Sequence, residues 1–333
     1  MTLNFEIPTL IKELKKRKPK KILVQLPEGI KQNVSEISDA IENLGIEVIF
    51  SGETAWGGCA IALQEAQTLG ADLIVHFGHA KFIDLPKGKD IPKVLYVEVK
   101  DELNLEPLLK KSLPALKKFK TLGLSYSIQH RHDSEKIKKF YEDNGKIVVF
   151  SKKIGLVAYE GHIVGCQYSG LRAIESQVEG FVIIGNRFHS MGAVLSVEKP
   201  VVLVDVYNNE IKNMKNQRGK ILRQRLFSIE KLKKAKTIGV VVEIKPGQKF
   251  GSAKYLMGEL KKQGKKPVLI TMSEFTPDKI MNFYNIDAFI ETACPRIAID
   301  DFAKYHKPIL TFKESLVALG VKSWDEMLKI GIV

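Results

Sequence analysis

Three cysteines, Cys59, Cys166 and Cys294, are the residues of this 333-residue chain whose type and placement point to chemistry. Each stands in a loop-like context: Cys59 in SGETAWGGCA, Cys166 in GHIVGCQYSG, Cys294 in ETACPRIAIDD. An odd number of distant cysteines, behind an N-terminus that does not read as a secretory signal, argues for reduced thiols rather than a disulfide framework. Unrelated core cysteines would sit on strand or helix faces, and none of the three has such a position. Pro295 is favoured at a first helical position, which predicts Cys294 at a helix N-cap. Helix N-termini lower thiol pKa values, so a thiolate ligand is expected there. Gly57, Gly58 and Gly165 are expected to let the backbone approach a bulky group closely.

Three converging thiolates allow more than one outcome. Zinc would need a fourth ligand, for which His76, His79, His130, His132 and His189 are available. A four-iron cluster held by three cysteines would instead leave one iron open to a substrate. No local CxxxCxxC run decides between them.

The elements that must position these residues form a unit written three times. KKILVQLPEG, KTLGLSYSIQ and KTIGVVVEIKPGQ each open a unit as a short aliphatic strand. Helical patterns follow at about Val34–Leu44, Asp133–Asn144 and Ala253–Gln263, and then the strands IEVIFSG, KIVVFSK and KPVLITM. ADLIVHFGHAKF, EGFVIIGNRFHS and IDAFIETACPRI supply a third strand, with KVLYVEV, KPVVLVDV and HKPILTF as a fourth. Apolar strands alternating with helices imply parallel sheets covered on both faces. The expected fold is three similar α/β domains, 1–109, 110–234 and 235–333, in a pseudo-threefold arrangement with one cysteine each. In such sheets, sites form beyond the carboxyl ends of the strands.

Bulk properties set the frame. The chain is 44% hydrophobic and 27% charged, ordinary for a globular protein. No apolar run has membrane-spanning length, so no membrane association and a cytoplasmic location are expected. The formal net charge of +14 gathers in the stretches Lys15–Lys21, Lys110–Lys120 and Lys231–Lys236. Such runs are solvated helix faces or a surface for an RNA-bound partner. They lack interleaved aromatics and any RNA-binding module, so direct nucleic-acid binding is not expected.

Loop position nominates further ligand-binding residues. Gln25 and Glu28 end the first strand; Glu28 either meets an amine or ribose or caps its Pro-Glu-Gly turn. His76 and His79 end a later strand, where local hydrogen bonding is the ordinary role. Gln248 and Ser252 lie in KPGQKFGS, neither a GxGxxG nor a Walker loop. Arg296 and Asp300 sit one helical turn apart, as a surface pair or as support for Cys294. Trp56 is expected to pack in the core, and His130 and His132 to lie on an exposed loop.

Together LPEG (Leu26 to Gly29), GETAWGGCA (Gly52 to Ala60), HFGH (His76 to His79), GCQYSG (Gly165 to Gly170) and ETACPRIAIDD (Glu291 to Asp301) resemble the archaeal 2-(3-amino-3-carboxypropyl)histidine synthase family over nearly the whole chain. The resemblance implies a [4Fe-4S] cluster on Cys59, Cys166 and Cys294. It also implies reductive cleavage of S-adenosylmethionine to a 3-amino-3-carboxypropyl radical and methylthioadenosine. The radical would add to imidazole C2 of a histidine in elongation factor 2, the first step of diphthamide synthesis. It further implies a homodimer and an external electron donor, and Gln25, Glu28, His79, Gln248, Ser252, Arg296 and Asp300 are the candidate S-adenosylmethionine contacts. A rival within the same three-domain plan is a quinolinate-synthase-like Lewis-acid enzyme. A second is a zinc-stabilised scaffold without enzymatic activity.

Overall fold

The computed structural model describes residues 3–86, 88 and 90–333. Its strands in chain order are β1 (Leu3–Asn4), β2 (Lys21–Gln25), β3 (Glu47–Phe50), β4 (Leu73–Phe77), β5 (Lys93–Val97), β6 (Lys100–Asp101), β7 (Thr121–Tyr126), β8 (Ile147–Phe150), β9 (Gly180–Gly185), β10 (Val201–Asp205), β11 (Glu210–Asn213), β12 (Thr237–Glu243), β13 (Lys266–Met272), β14 (Ala288–Glu291) and β15 (Ile309–Thr311). They form three main sheets, ordered β3-β2-β4-β5, β11-β10-β9-β7-β8 and β13-β12-β14-β15. All pairings within these sheets are parallel except that of the edge strand β11. Central strands such as Leu73–Phe77 and Gly180–Gly185 are buried throughout, which is why they read as continuous apolar runs. The fold is α/β with repeated parallel sheets.

The repetition extends to hydrogen bonds. A carboxylate just ahead of the third strand of each repeat accepts backbone N–H groups at the start of the first strand. Asp72 accepts from Lys20 and Lys21, Glu179 from Lys120 and Thr121, Asp287 from Lys236 and Thr237. These bonds fix the register of the two strands, because a one-residue slip would carry both N–H groups past the carboxylate. The first strands of the first two repeats also run into matching 3₁₀ turns, Glu28–Asn33 and Ile128–Asp133.

The sheets do not end where composition shifts. Leu105, Leu108 and Leu109 pack in the core of the second sheet. The boundary expected near Lys110 therefore cuts the helix Glu106–Ser112, whose apolar face belongs to the following unit. The 20-residue helix Lys215–Lys234 leads from the second sheet to the third. Its Ile221 packs in the second core, its Ile229 and Leu232 in the third. The C-terminal Met327, Ile332 and Val333 return to the second core.

Candidate functional site

Beyond the carboxyl ends of the strands, loops from all three sheets meet around a cavity of about 300 Å³. Cys59, Cys166 and Cys294 all line it. Each pair of sheets is tied at its wall. Gln129 Nε2 donates to Gly78 O (2.9 Å), Arg296 Nη2 to Phe188 O (2.7 Å), and Gly247 N to Cys59 O (2.9 Å). A Cβ on Gly247 would lie 2.6 Å from Cys59 Cα, so only glycine lets the third repeat's loop brace the first cysteine.

Cys294 is the N-cap of the helix Pro295–Asp300, as Pro295 predicts. The expected low thiol pKa does not follow. Burial dominates, pushing the Cys59 thiol up to about 11, Cys166 to about 12 and Cys294 well above its ordinary value. The mutual repulsion of the three thiolates adds to burial at Cys166 and Cys294. The helix beginning at Cys294 has only six residues, and Cys59 and Cys166 precede their helices by several residues, so helix dipoles offset little of this. Three half-buried thiols whose ionisation is disfavoured together would be drawn to the thiolate form by a cationic centre.

The donor set fits a multi-iron cluster better than one ion. Among the described residues, no group of three or more His, Cys, Asp and Glu is close enough to hold a single metal ion. Tetrahedral zinc requires sulfurs about 2.3 Å from one point. Three thiols that line one cavity can each instead take a separate iron of an iron–sulfur cluster.

The three glycines expected to leave room for a cofactor behave differently. A Cβ on Gly58 would meet Ala80 O at 2.9 Å and one on Gly165 would meet the Phe188 ring at 2.1 Å, so protein fills those spaces. Only Gly57 faces Cys59 Sγ.

Of the remaining candidates, His79, Gln248 and Arg296 line the cavity. Gln248 is buried with Oε1 unpartnered among the described residues, and its side chain offsets a little of the rise that burial gives the Cys59 thiol pKa. Arg296 is 3% exposed, not part of a surface pair. Its Nε and Nη2 donate to Asp300 at 2.6 and 2.9 Å, and its guanidinium lies 4.2 Å from the Phe188 ring centroid. Asp300 faces an adjoining cavity of about 340 Å³ that shares Cys294, Gln248 and Arg296 and is also lined by Glu243 and Glu274. Burial raises the carboxyl pKa of Asp300 against the lowering effect of Arg296.

Gln25 is buried beneath the wall rather than in it, joined to His76 and through it to His79. Two candidates lie elsewhere. Glu28 is exposed in its 3₁₀ turn, paired with Lys31 at 2.9 Å, the local turn role that the Pro-Glu-Gly sequence favours. Ser252 caps the helix Ala253–Lys262 by accepting from Tyr255 N, which directs its hydroxyl away from the cavity. Neither lines the cavity.

Trp56 is 60% exposed at the rim, its Nε1 donating to Glu274 (2.9 Å), not packed in the core. His130 is fully buried, not on an exposed loop, whereas His132 pairs with Asp133 at 3.1 Å. Sequence reasoning missed His162 and Asn186, which also line the cavity. Asn186 was findable, because it follows the third strand of its repeat as His79 does.

The sequence profile of the diphthamide synthesis protein family matches residues 26–329. The 2-(3-amino-3-carboxypropyl)histidine synthase of Pyrococcus horikoshii is 32% identical, with 97% of this chain and 94% of that protein covered. Subunit 1 of the enzyme of that name in Saccharomyces cerevisiae is 30% identical over 95% of this chain and 75% of its own. The crystal structure of Dph2 from Pyrococcus horikoshii with a 4Fe-4S cluster superposes with a TM-score of 0.85 at 30% identity, covering 96% of this chain and 92% of that one. A second crystal structure of that protein gives 0.87. This chain belongs to the diphthamide synthesis protein family.

Proposed function

We propose that this chain is a 2-(3-amino-3-carboxypropyl)histidine synthase, transferring the 3-amino-3-carboxypropyl group of S-adenosylmethionine to imidazole C2 of a histidine in elongation factor 2. The observation that carries the reading is the convergence of three thiols, one from each sheet, on a single cavity. Cys59, Cys166 and Cys294 would hold a [4Fe-4S] cluster. When bound, that cluster would supply the electron that cleaves the sulfonium.

The chain's own residues do the rest. The carboxylates of Glu243, Glu274 and Asp300 in the adjoining cavity attract the sulfonium and ammonium charges of S-adenosylmethionine. Gln248 offers an unused amide oxygen between the two cavities. Arg296, clamped to Asp300 and Phe188 O, keeps the Cys294 helix against the second sheet and adds positive charge beside the cofactor's carboxylate. Phe188, Ile163 and Val164 line the cavity with apolar surface, which excludes water from a radical. Glu28 and Ser252 have no part in this assignment.

The protein acts as a homodimer and takes its electron from an external donor in this reading, in the cytoplasm. Among the described residues, no helix is long and apolar enough to cross a membrane. Its functional units are the three sheets with their flanking helices, the second beginning ahead of Leu105.

The test is anaerobic reconstitution with iron and sulfide, followed by dithionite and S-adenosylmethionine. About four irons per chain, together with methylthioadenosine and a modified elongation factor, are expected. An iron-free chain, or one that consumes no S-adenosylmethionine, would sink the proposal.

A further inference from the structure

Backbone groups beside the cavity fix the proton positions of the side chains they touch. Ala62 N donates to Gln25 Oε1 (3.2 Å), and Gln25 Nε2 donates to Ala60 O (2.6 Å). Two backbone groups of opposite polarity thus fix which way the Gln25 amide points. His76 Nδ1 lies 2.9 Å from the same Oε1, an atom that only accepts, so His76 Nδ1 carries a proton. His76 is fully buried with no carboxylate among its partners, so it is the neutral ring and its Nε2 is bare. His79 Nδ1 stands 2.9 Å from that bare nitrogen and must donate to it. The burial that depresses the pKa of His76 and holds that of His79 at about 4 keeps both rings neutral. His79 Nε2 is then the lone-pair nitrogen of a ring that lines the cavity.

A second ring presents the opposite polarity. Ala158 N donates to His162 Nδ1 at 3.2 Å, which leaves the proton of a neutral His162 on Nε2. His162 lines the same cavity and has its pKa lowered by burial to about 4. One wall therefore accepts a hydrogen bond and another donates one. Among the described residues no Asp or Glu lines this cavity; the carboxylates suited to a cation line the adjoining one. A neutral imidazole has one N–H and one bare nitrogen flanking C2, and is complementary to this pair.

We propose that His79 Nε2 accepts the N–H of the target histidine while His162 Nε2–H donates to its other nitrogen, so that C2 is held for substitution. Gln25 and His76 are positioning residues that act through His79. The assignment rests on the reading that the chain modifies a protein histidine.

Two measurements test it. In the full-length chain labelled with ¹⁵N-histidine, NMR is expected to show His79 protonated at Nδ1 with a bare Nε2, and His162 protonated at Nε2. The opposite tautomer of His79 would overturn the proposal. In the reconstituted enzyme, the ratio of modified elongation factor to methylthioadenosine is expected to fall about tenfold or more in His79→Leu. His79→Gln, whose amide oxygen can still accept, is expected to recover part of that ratio at unchanged iron content. An unchanged ratio in His79→Leu overturns the proposal, and that includes the case where cleavage and transfer fall in parallel because the cofactor's ammonium is the true partner. A wild type that forms no methylthioadenosine overturns the functional reading itself, an outcome distinct from a working wild type matched by His79→Leu.

Discussion

The first and third repeats place different chemistry at one position. His76 pairs with Gln25 four residues into the first strand, and Glu291 pairs with Val241 at the matching place in the third. Three residues further on stand His79 and Cys294, with Asn186 at the equivalent point of the second repeat, and all three line the cavity. The cysteines of the first two repeats instead lie in the loops after β3 and β8. A repeated fold thus aims the same loops at one centre without dictating which loop brings the ligand. Two repeats supply thiols from one loop, the third supplies its thiol from another, and the positions so released carry imidazole and amide groups.

The strongest test of this division exchanges loss at equivalent positions. Cys294→Ala is expected to reduce bound iron from about four per chain to near zero, whereas His79→Gln should keep it. Equal iron loss in both, measured by iron assay and absorbance, would mean that the position acts alike in the two repeats.

The next effect concerns how the third loop is held. Arg225 is fully buried and donates to Ala298 O, Ile309 O and both Glu314 oxygens at 2.6 to 2.7 Å, anchoring the helix that starts at Cys294. Arg225→Met strands the Glu314 carboxylate and is expected to cost about 3–5 kcal/mol in urea unfolding. A loss under about 1 kcal/mol would show that the helix is secured by other contacts.

A smaller effect compares the two 3₁₀ turns. Ile30 of the first repeat is matched by His130 in the second, buried with both ring nitrogens unpartnered among the described residues. Burial lowers its folded pKa from 6.5 to about 4, with His132 adding to the fall. Between those values the unfolded chain binds the extra proton, so stability declines as pH drops from 6.5 towards 4 and is unaffected above. His130→Ile should remove about 2–3 kcal/mol of that decline. Parallel stability–pH curves for the two proteins would refute it.

Last, Gly247→Ala should cost about 1–3 kcal/mol and weaken iron retention, because its methyl group would strike the Cys59 backbone. The matched change at Gly29, where a Cβ meets nothing within 4 Å, should leave both unaltered.

The strands and the three thiols were legible because each is a local signal: an apolar run between turn residues, or a reactive atom in a loop. The Gln25–His76–His79 chain was not, since it depends on the pairing of β2 with β4 across 51 positions. His130 misled because its charged neighbours Arg131 and Asp133 read as solvent-facing, yet a 3₁₀ turn with i and i+3 eclipsed turns one side inward. Ser252 and Glu28 carried a polar type compatible with both a ligand and a cap, and the cap prevailed.

The contact of Gly247 with Cys59 has a consequence for the order of events in the cell. A ribosome delivers Cys59 long before Gly247 and Cys294 exist, and domains fold as they emerge. The first ligand loop remains unbraced until the last third of the chain has been made and docked. For the cluster proposed above, iron–sulfur assembly would then be a step that follows translation, and the delivery machinery would meet a chain whose three thiols are already gathered.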